Sequence, residues 1–132
     1  MSKIIRQSIS IKATPEQVYQ TLMDSKLHSE LTDSPAKMSS EVGGSFTAYD
    51  GYIQGKNLEL VPNKIIVQKW RGSGENWPPK YFSKIKYELT EVPGGTRIDF
   101  THEDVPEAEH DNIKQGWIDN YWMQLENKFG KL

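Results

Sequence analysis

The sequence predicts an α+β fold in which a curved antiparallel sheet wraps one long C-terminal helix. Three observations predict it. The apolar residues of the last stretch recur at helical spacing, the middle of the chain alternates with period two between tight-turn signals, and the strand-like segments are grouped rather than interleaved with helices. Grouped strands whose outward positions are polar imply an antiparallel sheet with one wet face.

The helix is expected over 106–129. Ile113, Trp117, Tyr121, Leu125 and Phe129 are each four apart, and Ile118 and Trp122 broaden the stripe. At about 100° per residue these positions fill roughly half the circumference, wider than a coiled-coil seam. Such an aromatic half-cylinder needs a concave partner, and a curved sheet supplies one. At 1.5 Å per residue the helix is roughly 35 Å long, enough to cross a small domain. Pro106 suits its first turn, Glu107, Glu109 and Asp111 suit the positive end of its dipole, and Gly130 suits its stop. Gly116 interrupts it at a cost of about 1 kcal/mol relative to Ala, which implies close packing against a neighbour.

The chain opens with alternation over 3–12, with Ile5, Gln7, Ile9 and Ile11 on one face. Thr14-Pro15-Glu16-Gln17 follows. Thr14 can cap a helix, Pro15 fits its first position, and Gln17 completes a capping box. Val18 and Leu22 form the apolar edge of that short helix. A second short helix starts at Ser25, uses Leu27 and Leu31, and ends at Asp33-Ser34-Pro35.

From Val42 the period becomes two. Gly43-Gly44 opens a strand carrying Phe46 and Ala48, and Asp50-Gly51 is a two-residue hairpin signal. The return strand, 52–61, places Leu58 and Leu60 on one face. Pro62-Asn63 turns the chain into a strand over 64–71. A loop spans 72–80. The strand over 81–91 puts Ile85, Tyr87 and Leu89 inward and Lys84, Lys86 and Glu88 outward. Pro93-Gly94-Gly95 makes the last hairpin, and 96–103 returns with Ile98 and Phe100 inward.

The totals bound the function. A chain of 132 residues fits one domain, 1–132, long enough to bury a core. Net charge is −2 and no basic run is present, which argues against a nucleic-acid partner. There is no cysteine, hence no disulfide framework and no thiolate nucleophile or metal ligand. The longest aliphatic run is Ile65-Ile66-Val67, too short for a membrane span or a secretory signal, so no membrane role is expected and the cytoplasm is the expected compartment.

Chemistry-bearing residues are few. His102-Glu103-Asp104 and Glu109-His110-Asp111 lack metal-site spacing, so no metal or other cofactor is expected. Gly43-Gly44 and Gly94-Gly95 lack the context of phosphate loops. His102 shares inward parity with Ile98 and Phe100 and is expected to be a satisfied histidine at the strand end. An acid–base pair would need it beside Tyr81 or Tyr87. Tyr81, Ser83 and Tyr87 point inward too. Their hydroxyls are either satisfied by neighbours or orient a bound ligand. Trp70-Arg71 and Trp77-Pro78 flank the 72–80 loop. Trp and Arg dominate interface hot spots. Trp70 also fits as the last core residue of its strand, whereas Trp77, beside two prolines, is expected to be exposed.

A set of short segments, in one order from near residue 14 to Gly130, carries a resemblance. They are Thr14-Pro15-Glu16, Pro35-Ala36, Gly43-Gly44-Ser45-Phe46, Asp50-Gly51-Tyr52-Ile53-Gln54-Gly55 and Leu60-Val61-Pro62, then Ile66-Val67-Gln68-Lys69-Trp70-Arg71, Trp77-Pro78, Gly95-Thr96, Val105-Pro106 and Gln115-Gly116-Trp117. Together they resemble the C-terminal domain of the activators of the heat-shock protein 90 ATPase, within the START-like (SRPBCC, helix-grip) superfamily. The resemblance implies a helix-grip fold and a non-catalytic co-chaperone that binds a heat-shock protein 90-type chaperone. One departure from the family pattern is expected: nothing in 1–132 corresponds to the separate N-terminal domain of the full-length activators. On that basis Trp70, Arg71, Trp77 and Pro78 are the expected recognition edge. The alternative is a carrier of a small hydrophobic ligand in a cavity between sheet and helix, lined by Phe46, Tyr81, Ser83, Tyr87, His102, Trp117 and Tyr121. An enzyme of the same superfamily, such as a cyclase or hydratase, is the third reading.

Overall fold

A computed structural model of the chain describes residues 2–132. Six strands form one antiparallel sheet in the order β1-β6-β5-β4-β3-β2. The strands are β1 (Ser2–Ile11), β2 (Ser45–Ala48), β3 (Ile53–Val61), β4 (Ile65–Arg71), β5 (Ser83–Val92) and β6 (Gly95–Pro106). Two short helices, α1 (Pro15–Met23) and α2 (Ser25–Thr32), separate β1 from β2. The C-terminal helix begins as a 3₁₀ turn (Glu107–Glu109), continues as α3 (His110–Trp117), opens into a π turn (Ile118–Trp122) and ends as α4 (Met123–Phe129). This is the helix-grip arrangement that the alternation and the aromatic ladder predict.

Local chemistry explains the elements. Thr14 caps α1 by accepting from the Gln17 amide at 3.1 Å, and the Gln17 side chain accepts from the Thr14 amide at 2.9 Å, closing the capping box. Asp24 caps α2 by accepting from the Leu27 amide at 2.9 Å, and Asp33 ends that helix in the left-handed region at φ 52°. Asp50 and Gly51 both have positive φ, 55° and 89°, and Tyr52 donates to the Tyr49 carbonyl at 3.1 Å across them. That is the expected two-residue turn.

The inner face of the sheet carries the core: Ile66, Ile85, Tyr87, Leu89, Ile98 and Phe100 are buried against Trp117, Tyr121, Trp122 and Leu125 of the C-terminal helix. β1 completes the sheet beside β6, with Ile9 opposite Ile98. The far end of the chain then fastens onto β1. Lys12 donates to the Gly130 carbonyl at 2.9 Å, Leu132 donates to the Ser10 carbonyl at 3.1 Å, and the Trp122 indole donates to Gln7 Oε1 at 2.7 Å.

Three expectations are corrected. Leu58 does not share a face with Leu60: a bulge between Asn57 and Glu59 shifts the register, and Leu58 is 46% exposed. Asn57 takes the inward position instead, where its amide donates to the Ser39 and Glu41 carbonyls and its oxygen accepts from Gln68. The last strand runs three residues further than expected, to Pro106, so Pro106 ends a strand rather than starting a helical turn. Gly116 is not tightly packed: a Cβ there would meet only Asn120 Nδ2, at 3.7 Å.

Candidate functional site

Between the helix and one end of the sheet lies a cleft of about 170 Å³, open on one side. Three elements far apart in sequence build it. The β2–β3 turn contributes Tyr49, Tyr52 and Ile53. The end of β4 and the following loop contribute Trp70, Gly72 and Trp77. The helix contributes Glu109, Asn112, Ile113, Gly116, Trp117, Asn120 and Tyr121.

Two buried histidines fix the two helix aromatics of this wall. The Trp117 indole N–H donates to His102 Nδ1 at 3.1 Å. An indole has no acceptor, so Nδ1 is the bare nitrogen and the proton sits on Nε2. Nε2–H then donates to Ser83 Oγ at 2.7 Å, and the Ser83 hydroxyl donates to the Trp70 carbonyl at 2.7 Å. His102 is completely buried, and burial pushes its pKa down to about 3. It is a neutral strut. His28 works the same way from α2. Its Nδ1 lies 2.9 Å from the Leu22 carbonyl, which can only accept, so Nε2 accepts the Tyr121 hydroxyl proton at 2.7 Å. Burial lowers the His28 pKa, and burial together with the neighbouring Tyr87 and Tyr49 hydroxyls raises that of Tyr121.

The predicted site residues separate into two groups. Trp70, Trp77, Trp117 and Tyr121 line the cleft. Phe46, Tyr81, Ser83, Tyr87 and His102 do not, because side chains fill the space expected to be a cavity there. Phe46 is buried over Gly55, where a Cβ would collide with its ring and with the Lys69 carbonyl. The Tyr87 ring packs 5.2 Å from Phe100 and 6.1 Å from Trp117. The Tyr81 hydroxyl donates to the Asp104 carbonyl at 2.6 Å. His102 is therefore engaged by Ser83 and Trp117, not paired with a tyrosine.

Trp77 corrects another expectation: it is only 4% exposed. Arg71 draws the loop inward. Its guanidinium donates to the carbonyls of Trp77 at 3.1 Å and Pro78 at 2.9 Å, with longer bonds to those of Gly72 and Tyr81. The Trp77 ring then packs 5.7 Å from Trp70. Of the expected recognition edge, Pro78 is the exposed member.

Tyr49, Tyr52, Asn112 and Asn120 were outside sequence reasoning, as was His28. For His28 a signal exists, since it lies three residues before Leu31 on the inward side of its helix. Among the described residues, no group of three or more His, Cys, Asp or Glu could hold a metal ion, and no helix is long and apolar enough to cross a membrane.

The fold and this aromatic cleft define the class first: a START-like, helix-grip domain. The family follows from comparison. The model for the "Activator of Hsp90 ATPase homolog 1-like protein" family matches residues 12–130, and the chain belongs to that family. It is 31% identical over 132 residues to human activator of 90 kDa heat shock protein ATPase homolog 1, covering 97% of this chain and 38% of that protein. It is 31% identical over 113 residues to mouse homolog 2, covering 86% of this chain and 34% of that protein. The chain thus spans just over a third of the length of these curated relatives. Among solved structures, an Hsp90 activator from Plasmodium falciparum superimposes with a TM-score of 0.89 at 23% identity, covering 98% of this chain and 97% of that one. The Aha1 dimer from Colwellia psychrerythraea superimposes with a TM-score of 0.80 at 24% identity, covering 98% and 99%. At these identities the two structures show the shared fold.

Proposed function

We propose that residues 1–132 are a single, non-catalytic, co-chaperone-like domain that binds a heat-shock protein 90-type chaperone in the cytoplasm. The observation that carries this reading is the family match, which runs through almost the entire chain, 12–130. The state of His102 supports a non-catalytic role. It is the buried imidazole best placed for acid–base work, yet its lone pair is taken by Trp117 and its proton by Ser83.

The recognition edge is the corner built by Trp70, Arg71, Trp77 and Pro78. Pro78 faces solvent there, and Tyr52, 52% exposed, lines the same cleft as Trp77. Trp70, Trp77 and Arg71 hold that edge in shape from below.

The test is a direct titration of the host chaperone with this protein, following ATP hydrolysis in the same samples. Saturable binding with faster hydrolysis is the expected result. Absence of binding at high micromolar concentration overturns the reading. A second reading, binding of a small hydrophobic ligand, is favoured by one observation: the cleft that remains open between sheet and helix.

A further inference from the structure

We propose that the outer face of the sheet docks an acidic segment of a partner protein, its carboxylates set against a row of lysines and an apolar side chain against Val42 and Leu58. This goes beyond the chaperone reading and does not rest on it. Two departures from ordinary sheet chemistry carry it, and both fall on the same face of the sheet.

The first is a ladder of like charges. Lys56 of β3 stands directly opposite Lys69 of β4, and Lys69 stands directly opposite Lys84 of β5. Their strand neighbours Gly55, Trp70 and Ser83 are buried, so by the alternation of a strand the three lysines share the outer face. Adjacent strands lie about 4.8 Å apart, so the three lysines cross roughly 10 Å of sheet in line. Like charges directly opposite one another destabilise a sheet. Only part of this row is compensated from within. Lys84 lies 3.9 Å from Glu103 at the far end, and the Lys69 ammonium lies 4.6 Å over the Phe82 ring, which leaves its charge intact. Lys56 is exposed and makes no ion pair with any described residue. The groove beside the row has Ser45, Thr47, Gln54, Lys56, Lys69 and Phe82 among its lining residues, and no Asp or Glu. Hydroxyl, amide and ammonium groups can all donate to an anion.

The second departure is the bulge between Asn57 and Glu59, which turns Leu58 outward two residues beyond Lys56. Bulges re-aim side chains and are over-represented next to active sites. Asn57 also fastens the preceding loop alongside β3. The Gly43 amide donates to the Asn57 carbonyl at 2.8 Å, and the Asn57 amide donates to the Gly44 carbonyl at 2.9 Å. The backbone of Val42 is thereby held alongside that of Leu58. Val42 is 63% exposed and Leu58 46%, so an apolar pair stands at one end of the lysine row.

Spacing selects the occupant. Charges in line, each on its own strand, suit carboxylates in series rather than one phosphate, which needs donors converging on a point. Glutamates at i and i+4 of a helix are about 5–6 Å apart, close to the strand spacing, so an acidic helix laid across the strands meets successive lysines. Nucleic acid is disfavoured. Its bases need a free aromatic face, and Phe82 already faces Lys69 and, at 5.9 Å, Arg71. An anionic membrane is disfavoured too, because lipid-binding clusters hold about four to eight basic residues.

Four labelled probes are titrated into the isolated protein, following fluorescence anisotropy and backbone amide NMR. They are a helical glutamate–alanine peptide carrying one leucine, the same peptide with alanine in place of that leucine, a thymidine oligonucleotide, and vesicles containing phosphatidylserine. The expected result is saturable binding of the leucine peptide that moves the Lys56, Leu58 and Lys69 signals and weakens about five-fold from low to physiological salt. The alanine peptide should bind about three-fold more weakly. Lys56→Glu should weaken both peptides about five-fold. Lys26→Glu, the same charge change at an exposed position of α2, should leave both unchanged. Leu58→Ser should remove the preference for leucine. Equal losses in Lys56→Glu and Lys26→Glu overturn the proposal, because net charge alone then accounts for binding. Tighter binding of the oligonucleotide or the vesicles than of either peptide overturns it as well, as does no saturation at millimolar peptide. A leucine preference that survives Leu58→Ser overturns the apolar contact. None of these outcomes bears on the chaperone titration, which stands or falls separately.

Discussion

Acid should unfold this domain through its buried histidines before its carboxylates titrate. His102 carries a pKa near 3 in the folded state, against an ordinary value of 6.5. Below pH 6.5 the unfolded chain binds a proton that the folded chain refuses. The contribution of His102 is therefore complete above pH 6.5 and is lost as pH falls toward 3. The limiting slope is about 1.4 kcal/mol per pH unit, and the loss between pH 7 and pH 5 is about 2 kcal/mol from His102 alone. His28, also lowered by burial, adds in the same direction. Carboxylates titrate mostly below this window. Urea unfolding at pH 7, 6 and 5 measures the loss, provided the slope against denaturant stays constant. The control is His102→Gln, whose amide can still accept from Trp117 and donate to Ser83 but cannot titrate. It should flatten the pH dependence by about 2 kcal/mol over the window. An identical pH dependence in wild type and variant would refute the reasoning, as would an NMR titration placing folded His102 near 6.5.

Two further substitutions test the geometry. Gly116→Ala should raise stability by about 1 kcal/mol and the melting temperature by about 3–5 °C, because Ala favours helix and its methyl group meets only Asn120 at ordinary contact distance. A lower melting temperature would restore the close-packing explanation for that glycine. Trp77→Ala should cost about 3–5 kcal/mol of stability, as for a buried aromatic residue. A fully stable variant with weakened chaperone binding would instead mark Trp77 as an exposed hot spot, contrary to its burial.

Much of the fold was legible because it is written in periodicity and caps. The four-residue ladder from Ile113 to Phe129 marks the helix, the inward triplet Ile85, Tyr87 and Leu89 marks β5, and Thr14 with Gln17 marks the start of α1. Leu58 was not legible, because one extra residue in a strand inverts parity without any local signature. The π turn was equally silent: Ile118–Trp122 reads as ordinary helix. Less of the candidate site could be read. The cleft is assembled from a turn, a loop and a helix, and a sequence pattern reports which way a side chain points, not whether opposing side chains leave a gap. Tyr87 and Phe46 point inward as expected, but they fill the space instead of bounding it. Trp77 was misread for a different reason. Its burial depends on Arg71, and nothing in a Trp-Pro-Pro loop announces that a guanidinium six residues earlier gathers its carbonyls.

The fastening of β1 has a consequence for how the chain is made. Of the six strands of this domain, β1 is made first and has to wait for the last, β6, to pair. Ile9 waits for Ile98, and the Lys12 and Ser10 backbone groups wait for Gly130 and Leu132. At synthesis rates of about 5–20 residues per second, that interval is roughly 5–20 s. Throughout it, an alternating strand bearing Ile5, Ile9 and Ile11 has no native neighbour. A nascent copy of this domain therefore carries an unpaired β1 until β6 has been made, and the sheet closes only then.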